Sequence, residues 1–119
     1  MSKDKQRLAD YLAHMAQAIE RVFRYTEELD EVAFLQNELV QDAVIRNLEV
    51  LGEASNNVLK HYPDFAVHHP ELPLAFAYQM RNAVAHGYFK VDYEVVWRTI
   101  HADLPTLFLQ VNSAVQTLD

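Results

Sequence analysis

Residues 37 to 61 read NELVQDAVIRNLEVLGEASNNVLKH, and this stretch decides the fold class. Val40, Val44, Leu48, Leu51, Ser55 and Val58 recur at steps of three and four, the spacing of one side of an α-helix. Asn37 is a good N-cap and Glu38 sits favourably in the first turn, while Pro63 sets a stop just beyond His61. Gly52 lies inside the helix, where glycine costs about 1 kcal/mol relative to alanine. Such a position often marks the close approach of a neighbouring helix. On the opposite side Asp42, Arg46, Glu49, Glu53 and Lys60 line up at helical spacing. They read either as a solvated face laced with ion pairs or as a polar wall facing a subunit partner or an active groove.

Working outward, the same period appears on both sides. Leu8, Tyr11, Leu12, Met15, Ile19, Val22 and Phe23 form one apolar face of a helix from Asp4 to about Thr26, with His14 outside the stripe as a surface residue. TEELDEVAFLQN reads as a connector with Phe34 and Leu35 packing inward. YPDFAVHHPELP, with Pro63, Pro70 and Pro73, reads as an irregular segment. A third helix is expected from Leu74 to His86, packed through Leu74, Phe76, Ala83 and Val84, with Ala75 and Ala85 as small close-contact positions and Gly87 as a left-handed cap. Asp92 is the expected N-cap of a fourth helix, whose apolar side is Val96, Trp97, Ile100 and Leu104. Pro105 forces a new start for which Asp103 is the candidate cap. Leu107, Phe108, Val111 and Val115 carry the last helix. The 119 residues, half of them hydrophobic and with only two glycines and four prolines, predict one all-α domain over 1–119, a four- to five-helix up-down bundle.

Composition narrows the function classes. With no cysteine the chain has no disulfide, thiolate zinc site or Cys nucleophile. The charged start MSKDKQRLAD does not resemble a signal peptide, and no apolar run approaches the ~18 residues of a membrane span, so a cytoplasmic location is expected. His61, His68, His69 and Asp64 raise the question of a metal. They lie in a Pro-rich segment and lack both the Glu-x-x-His pattern and an i, i+4 histidine pair with a glutamate, so no metal or cofactor is expected. Ten Lys and Arg stand against seventeen acids, a net charge of −7, with no basic run. Nucleic-acid chemistry would therefore need a small local cluster, or one assembled from more than one chain.

RNAVAHGYF, Arg81 to Phe89, is the one stretch that groups a guanidinium, an amide, an imidazole and a phenol beside a glycine. On a regular helix Arg81 and His86 stand about 140° apart, whereas Asn82 and His86 share a face. A long Arg81 side chain, a helix end distorted at Gly87, or two copies of the motif across a twofold axis would each let them act together. An imidazole that titrates near neutral pH and a planar cationic fork suit RNA cleavage by the ribose 2′-hydroxyl without a metal. A surface ion pair for Arg81 and a helix-end dipole contact for His86 form the competing reading. Spacing alone does not exclude it.

The motif, read as Arg, four residues, His, one residue, Tyr, resembles the signature of the HepT toxins in the HEPN superfamily. QDAVIRNLEVLGEA, from Gln41, is similar to that family's second helix, and MRNAVAHGYFKVDYEVVWRTIHADLP, from Met80, to the region around its motif. The resemblance covers nearly the whole chain. It implies a HEPN-like bundle and a metal-independent endoribonuclease toxin, working as a homodimer with the motifs of both subunits lining one cleft. RNA is the implied substrate, with no DNA expected. Arg81 and His86 would be catalytic, with Asn82 positioning them or the phosphate. The implied partner is an MntA-type nucleotidyltransferase antitoxin that attaches AMP to Tyr88. The alternative is a non-catalytic helical partner, or substrate-presenting module, of a nucleotidyltransferase.

Overall fold

A computed structural model of the chain describes residues 3–86 and 91–118, with residues 81–86 followed through their backbone. The described residues form helices and no strand: α1 (Lys3–Thr26), α2 (Glu31–Leu35), α3 (Glu38–His61), α4 (Pro63–His68), α5 (Leu74–His86), α6 (Tyr93–Ala102) and α7 (Leu104–Gln116). Five of these hold at least 10 residues and make the expected bundle. The other two are single short helices in the connections. The molecule is elongated, 46 × 27 × 22 Å, because α1 and α3 each run for 24 residues, about 36 Å at 1.5 Å per residue.

The N-cap expectations hold where the local chemistry is strong. Asn37 is extended at φ −114°, ψ 91°, and its side chain accepts from the Val40 N–H at 3.0 Å. Asp92 accepts from the N–H groups of Glu94 and Val95. Asp30, unforeseen, caps α2 by accepting from Ala33 N at 2.8 Å. Asp103 does not cap α7 with its side chain. Its own N–H closes the last turn of α6 on Thr99 O, which holds its backbone in the helical region at φ −110°, ψ −40°. A capping side chain needs an extended backbone there. The segment read as irregular contains α4, with Pro63 at a first-turn position where its missing N–H costs nothing. Six residues are too few to show a helical period.

Aromatic and sulfur contacts fix the helix directions. The Tyr11 and Tyr62 rings meet edge to face at 6.3 Å, and Ser55 Oγ donates to Met15 Sδ at 3.6 Å. The start of α1 therefore lies against the end of α3, antiparallel. Phe23 and Phe108 meet at 5.7 Å, which sets the end of α1 against the start of α7. The core is continuous through Leu12, Met15, Ile19, Val22, Phe34, Val44, Leu48, Leu51, Val58, Ile100, Leu104 and Val111, all nearly or wholly without solvent contact. Buried polar groups inside it are bonded: the single Ser55 hydroxyl proton is shared between Met15 Sδ and the nearer Leu51 O, Thr26 Oγ1 donates to Val22 O, and the Gln41 amide to Phe34 O. Phe76, expected to pack inward, is 43% exposed; Leu72 and Ala77 take the buried places there.

Leu48, 1% exposed, sits in the middle of this core. Leu48→Ala is expected to lower the unfolding free energy by about 2–5 kcal/mol. Asn37→Ala should cost only about 1 kcal/mol, the worth of one cap. Urea unfolding followed by circular dichroism measures both, and an equal loss from the two variants would contradict this ranking.

Candidate active site

The α5 helix starts where Pro73 and the hydrogen bond from Leu74 N to Leu72 O turn the chain back along α3. Leu74 and Ala77 are buried, and Tyr78 is half-buried. Tyr78 lines a groove with Glu53, Asn56 and Asn57 of α3. A residue near the start of α5 thus lies beside the second half of α3, so these helices are antiparallel as well. The last two turns of α5 run back towards the middle of α3 and carry the positions of Arg81, Asn82 and His86.

The backbone of α5 is helical through His86. The Arg81 and His86 positions therefore stand about 140° apart around the helix axis, and those of Asn82 and His86 about 40° apart. The fold groups Asn82 with His86 and sets Arg81 on another azimuth. Taking Tyr78 as the origin, Arg81 falls about 60° to one side and His86 about 80° to the other. Tyr78 and its groove lie inside the arc between them. The Gly87 cap and Tyr88 lie outside the described residues, as do the side chains of Ala83, Val84 and Ala85.

Just beyond, α6 returns to the start of α3. Tyr93 packs edge to face on the buried Phe34 at 6.2 Å. Burial of its ring raises the Tyr93 phenol above its usual pKa, and the carboxylates of Asp42 and Glu38 add to the effect. Trp97 meets Phe34 at 5.2 Å and His101 at 4.2 Å, both ring pairs tilted. The polar stripe of α3 runs past this region, with Asp42, Arg46, Glu53 and Lys60 exposed and Glu49 half-buried; Glu53 is the member that lines the Tyr78 groove.

Three of the remaining histidines are held by the backbone. The Nδ1 atoms of His68, His69 and His101 lie 2.7, 2.9 and 2.9 Å from the carbonyls of Asp64, Phe65 and Trp97. His69 also stacks on Phe65 at 4.0 Å, and His14 is exposed. Among the described residues no three His, Asp or Glu side chains gather as a metal site, and no helix is long and apolar enough to cross a membrane. Sequence reading passed over Asn56, Asn57 and Tyr78. The signal was present: two adjacent asparagines inside a helix are poor helix formers.

Residues 15–114 match the model of the family described as "Ribonuclease HepT-like". A protein of Thermococcus cleftensis named "Probable ribonuclease HepT" is 43% identical over 98 residues, covering 82% of this chain and 86% of that one. "Putative RNase MJ0125" of Methanocaldococcus jannaschii is 31% identical, with 94% and 90% covered. "Putative RNase TTE0752" of Caldanaerobacter subterraneus is also 31% identical, with 89% and 92% covered. No solved structure matches the chain. The helical bundle with its Arg-x4-His stretch is thus of the HEPN type. The chain belongs to the HepT-like ribonuclease family.

The raised phenol gives a test of how Tyr93, at the start of α6, lies near the carboxylates at the start of α3. The unfolded chain loses the Tyr93 proton first. The stability that the neutral ring contributes is therefore fully present below about pH 10 and is lost as pH rises through the higher folded value. Ultraviolet phenolate titration, compared with Tyr93→Phe, should show Tyr93 ionising later than a free tyrosine. Asp42→Asn should bring that titration down.

Proposed function

We propose that the protein is a metal-independent endoribonuclease toxin whose site is built from Arg81, Asn82 and His86. The observation that carries this reading is the Arg-x4-His-x-Tyr sequence at the C-terminal end of α5, in a chain of the HepT-like ribonuclease family. The names of the relatives add support for ribonuclease as the activity class.

In the proposed reaction the ribose 2′-oxygen attacks the adjacent phosphorus and the 5′-oxygen leaves. The products are a 2′,3′-cyclic phosphate and a 5′-hydroxyl. His86 takes the 2′-hydroxyl proton or returns one to the leaving oxygen, and Arg81 neutralises the charge that builds on the non-bridging oxygens. Asn82, on the same face as His86, holds the imidazole or the phosphate in register. The nucleophile is part of the substrate, so DNA is not cut.

A homodimer answers both the 140° problem and the charge problem. Across a twofold axis the Arg81 of one protomer can approach the His86 of its partner, and two guanidinium groups converge in an otherwise acidic protein. The proposed off switch is Tyr88. An MntA-type nucleotidyltransferase antitoxin would join the phenol oxygen to the α-phosphorus of ATP, releasing pyrophosphate and the phenol proton. The added AMP would block the cleft by bulk and negative charge.

Purified protein should cleave single-stranded RNA to 2′,3′-cyclic phosphate ends at a rate unchanged by chelator. His86→Ala should lower that rate by about 10²–10⁴-fold, and Arg81→Ala by about 10²–10³-fold. Loss of activity on chelation, or full activity in both variants, would overturn the assignment. Light scattering should give twice the chain mass. Intact mass after co-expression with the antitoxin should show added AMP, mapped to Tyr88.

A further inference from the structure

The groove between α3 and α5 is lined by Glu53, Asn56, Asn57 and Tyr78 and has a volume of about 330 Å³. That is near the lower end of the roughly 300–1,000 Å³ of small-molecule sites, room for a heterocycle and not for a protein segment. Glu53, Asn56 and Asn57 occupy positions i, i+3 and i+4, one face of α3, and Tyr78 closes the groove from α5. Both asparagines and the tyrosine are half-buried. Among the described residues neither carboxamide nor the phenol has a hydrogen-bond partner.

We propose that this groove is a subsite for one unstacked nucleobase of RNA, guanine, next to the scissile phosphate. Its place next to that phosphate rests on the assignment of Arg81 and His86; its chemistry does not. Among the described residues no lysine or arginine lines the groove. Its carboxylate, two carboxamides and phenol match the edge and face of a base. Single-stranded RNA is read in this way, with bases splayed out, stacked on aromatic rings and hydrogen-bonded along their edges. Guanine is the base with two adjacent donors on its Watson–Crick edge, N1–H and the N2 amine, to face a carboxylate. Its O6 and N7 accept from the carboxamide NH₂ groups of Asn56 and Asn57. A carboxylate has about four lone-pair directions, so Glu53 can serve a base edge alongside another partner. The Tyr78 ring supplies a stacking surface. The position fits the chemistry, since Tyr78 falls within the arc between Arg81 and His86 on α5.

Two sets of oligonucleotides test this. The first is 2′-O-methyl RNA, which lacks the nucleophile and cannot be cleaved. It is compared as an all-uridine strand and as strands carrying one guanosine, adenosine or cytidine, with binding read by fluorescence anisotropy. The second is ordinary RNA with the single guanosine moved stepwise, cleavage sites being mapped. Wild-type protein should bind the guanosine strand about tenfold or more tightly than the others, and should cut at a fixed distance from the guanosine. Glu53→Gln, nearly isosteric, and Asn56→Leu combined with Asn57→Leu should each erase that preference, with circular dichroism confirming the fold. A wild type that ignores base identity, or a preference that survives both variants, overturns the proposal. Guanine-selective binding that depends on these residues, without cleavage, upholds the subsite and sinks the ribonuclease assignment. Cleavage with no base preference does the reverse.

Discussion

The apolar seam between α1 and α3 is the interaction on which the other elements depend. Leu12, Met15, Ile19 and Val22 meet Val44, Leu48, Leu51 and Val58 with almost no solvent contact, and Ser55 touches Met15 across the seam. Burial at about 25 cal/mol per Å² makes such an apolar seam a large favourable contribution to the bundle. The buried residues of α3, from Gln41 to Val58 and including Gly52 and Ala54, span about 160° of its circumference at 100° per residue. A surface helix typically buries a stripe of about 100°. The extra width exists because α3 is flanked on both sides, by α1 and by α5. Whatever α5 carries at its C-terminal end is therefore referred to the rigid central helix, not to a loop.

That dependence explains what could be read from the residues and what could not. Periodic apolar positions on α1, α3, α6 and α7 report burial directly, and Asn37 and Asp92 cap helices because their side chains reach N–H groups only two or three residues away. These are local facts. Asp103 failed as a cap for an equally local reason, one that depends on a hydrogen bond made by the preceding helix. Phe76 shows the other limit: α5 carries apolar residues on more than one side and its period is ambiguous, so the face that meets α3 is set by partner packing rather than by its own pattern. The Tyr78 groove is the clearest case. Glu53, Asn56 and Asn57 look like solvated helix surface until a second helix is placed beside them. The azimuth of that helix is not written in the α3 sequence.

The motif was legible as chemistry and, once a helix to His86 is granted, as an azimuthal separation of Arg81 from His86. Four chemically capable side chains near one glycine are visible in a string of letters. The regular α5 then sets Arg81 and His86 on different azimuths, a separation no rotation of one helix removes. A site that uses both must draw on side-chain length, on a second protomer, or on a substrate wide enough to touch both faces. RNA is wide enough. A strand crossing the end of α5 presents a phosphate and its neighbouring base to different sides of the helix, which the positions of Arg81, Tyr78 and His86 can address separately.

Under the proposed assignment the acidic balance becomes part of the recognition rather than an obstacle to it. A protein with a net charge of −7 gains little from general phosphate neutralisation, so its RNA affinity should depend weakly on salt and strongly on a few local contacts. In the proposed arrangement Arg81 accepts the phosphate, while the described residues of the groove beside it offer acceptors and neutral donors. A strand bound one step out of register would bring a phosphate against Glu53 and leave Arg81 facing a base. Both errors are penalised by the same side chains that reward the correct register. Specificity can therefore arise from repulsion as much as attraction, and a weakly gripping, acidic protein can still choose where it cuts.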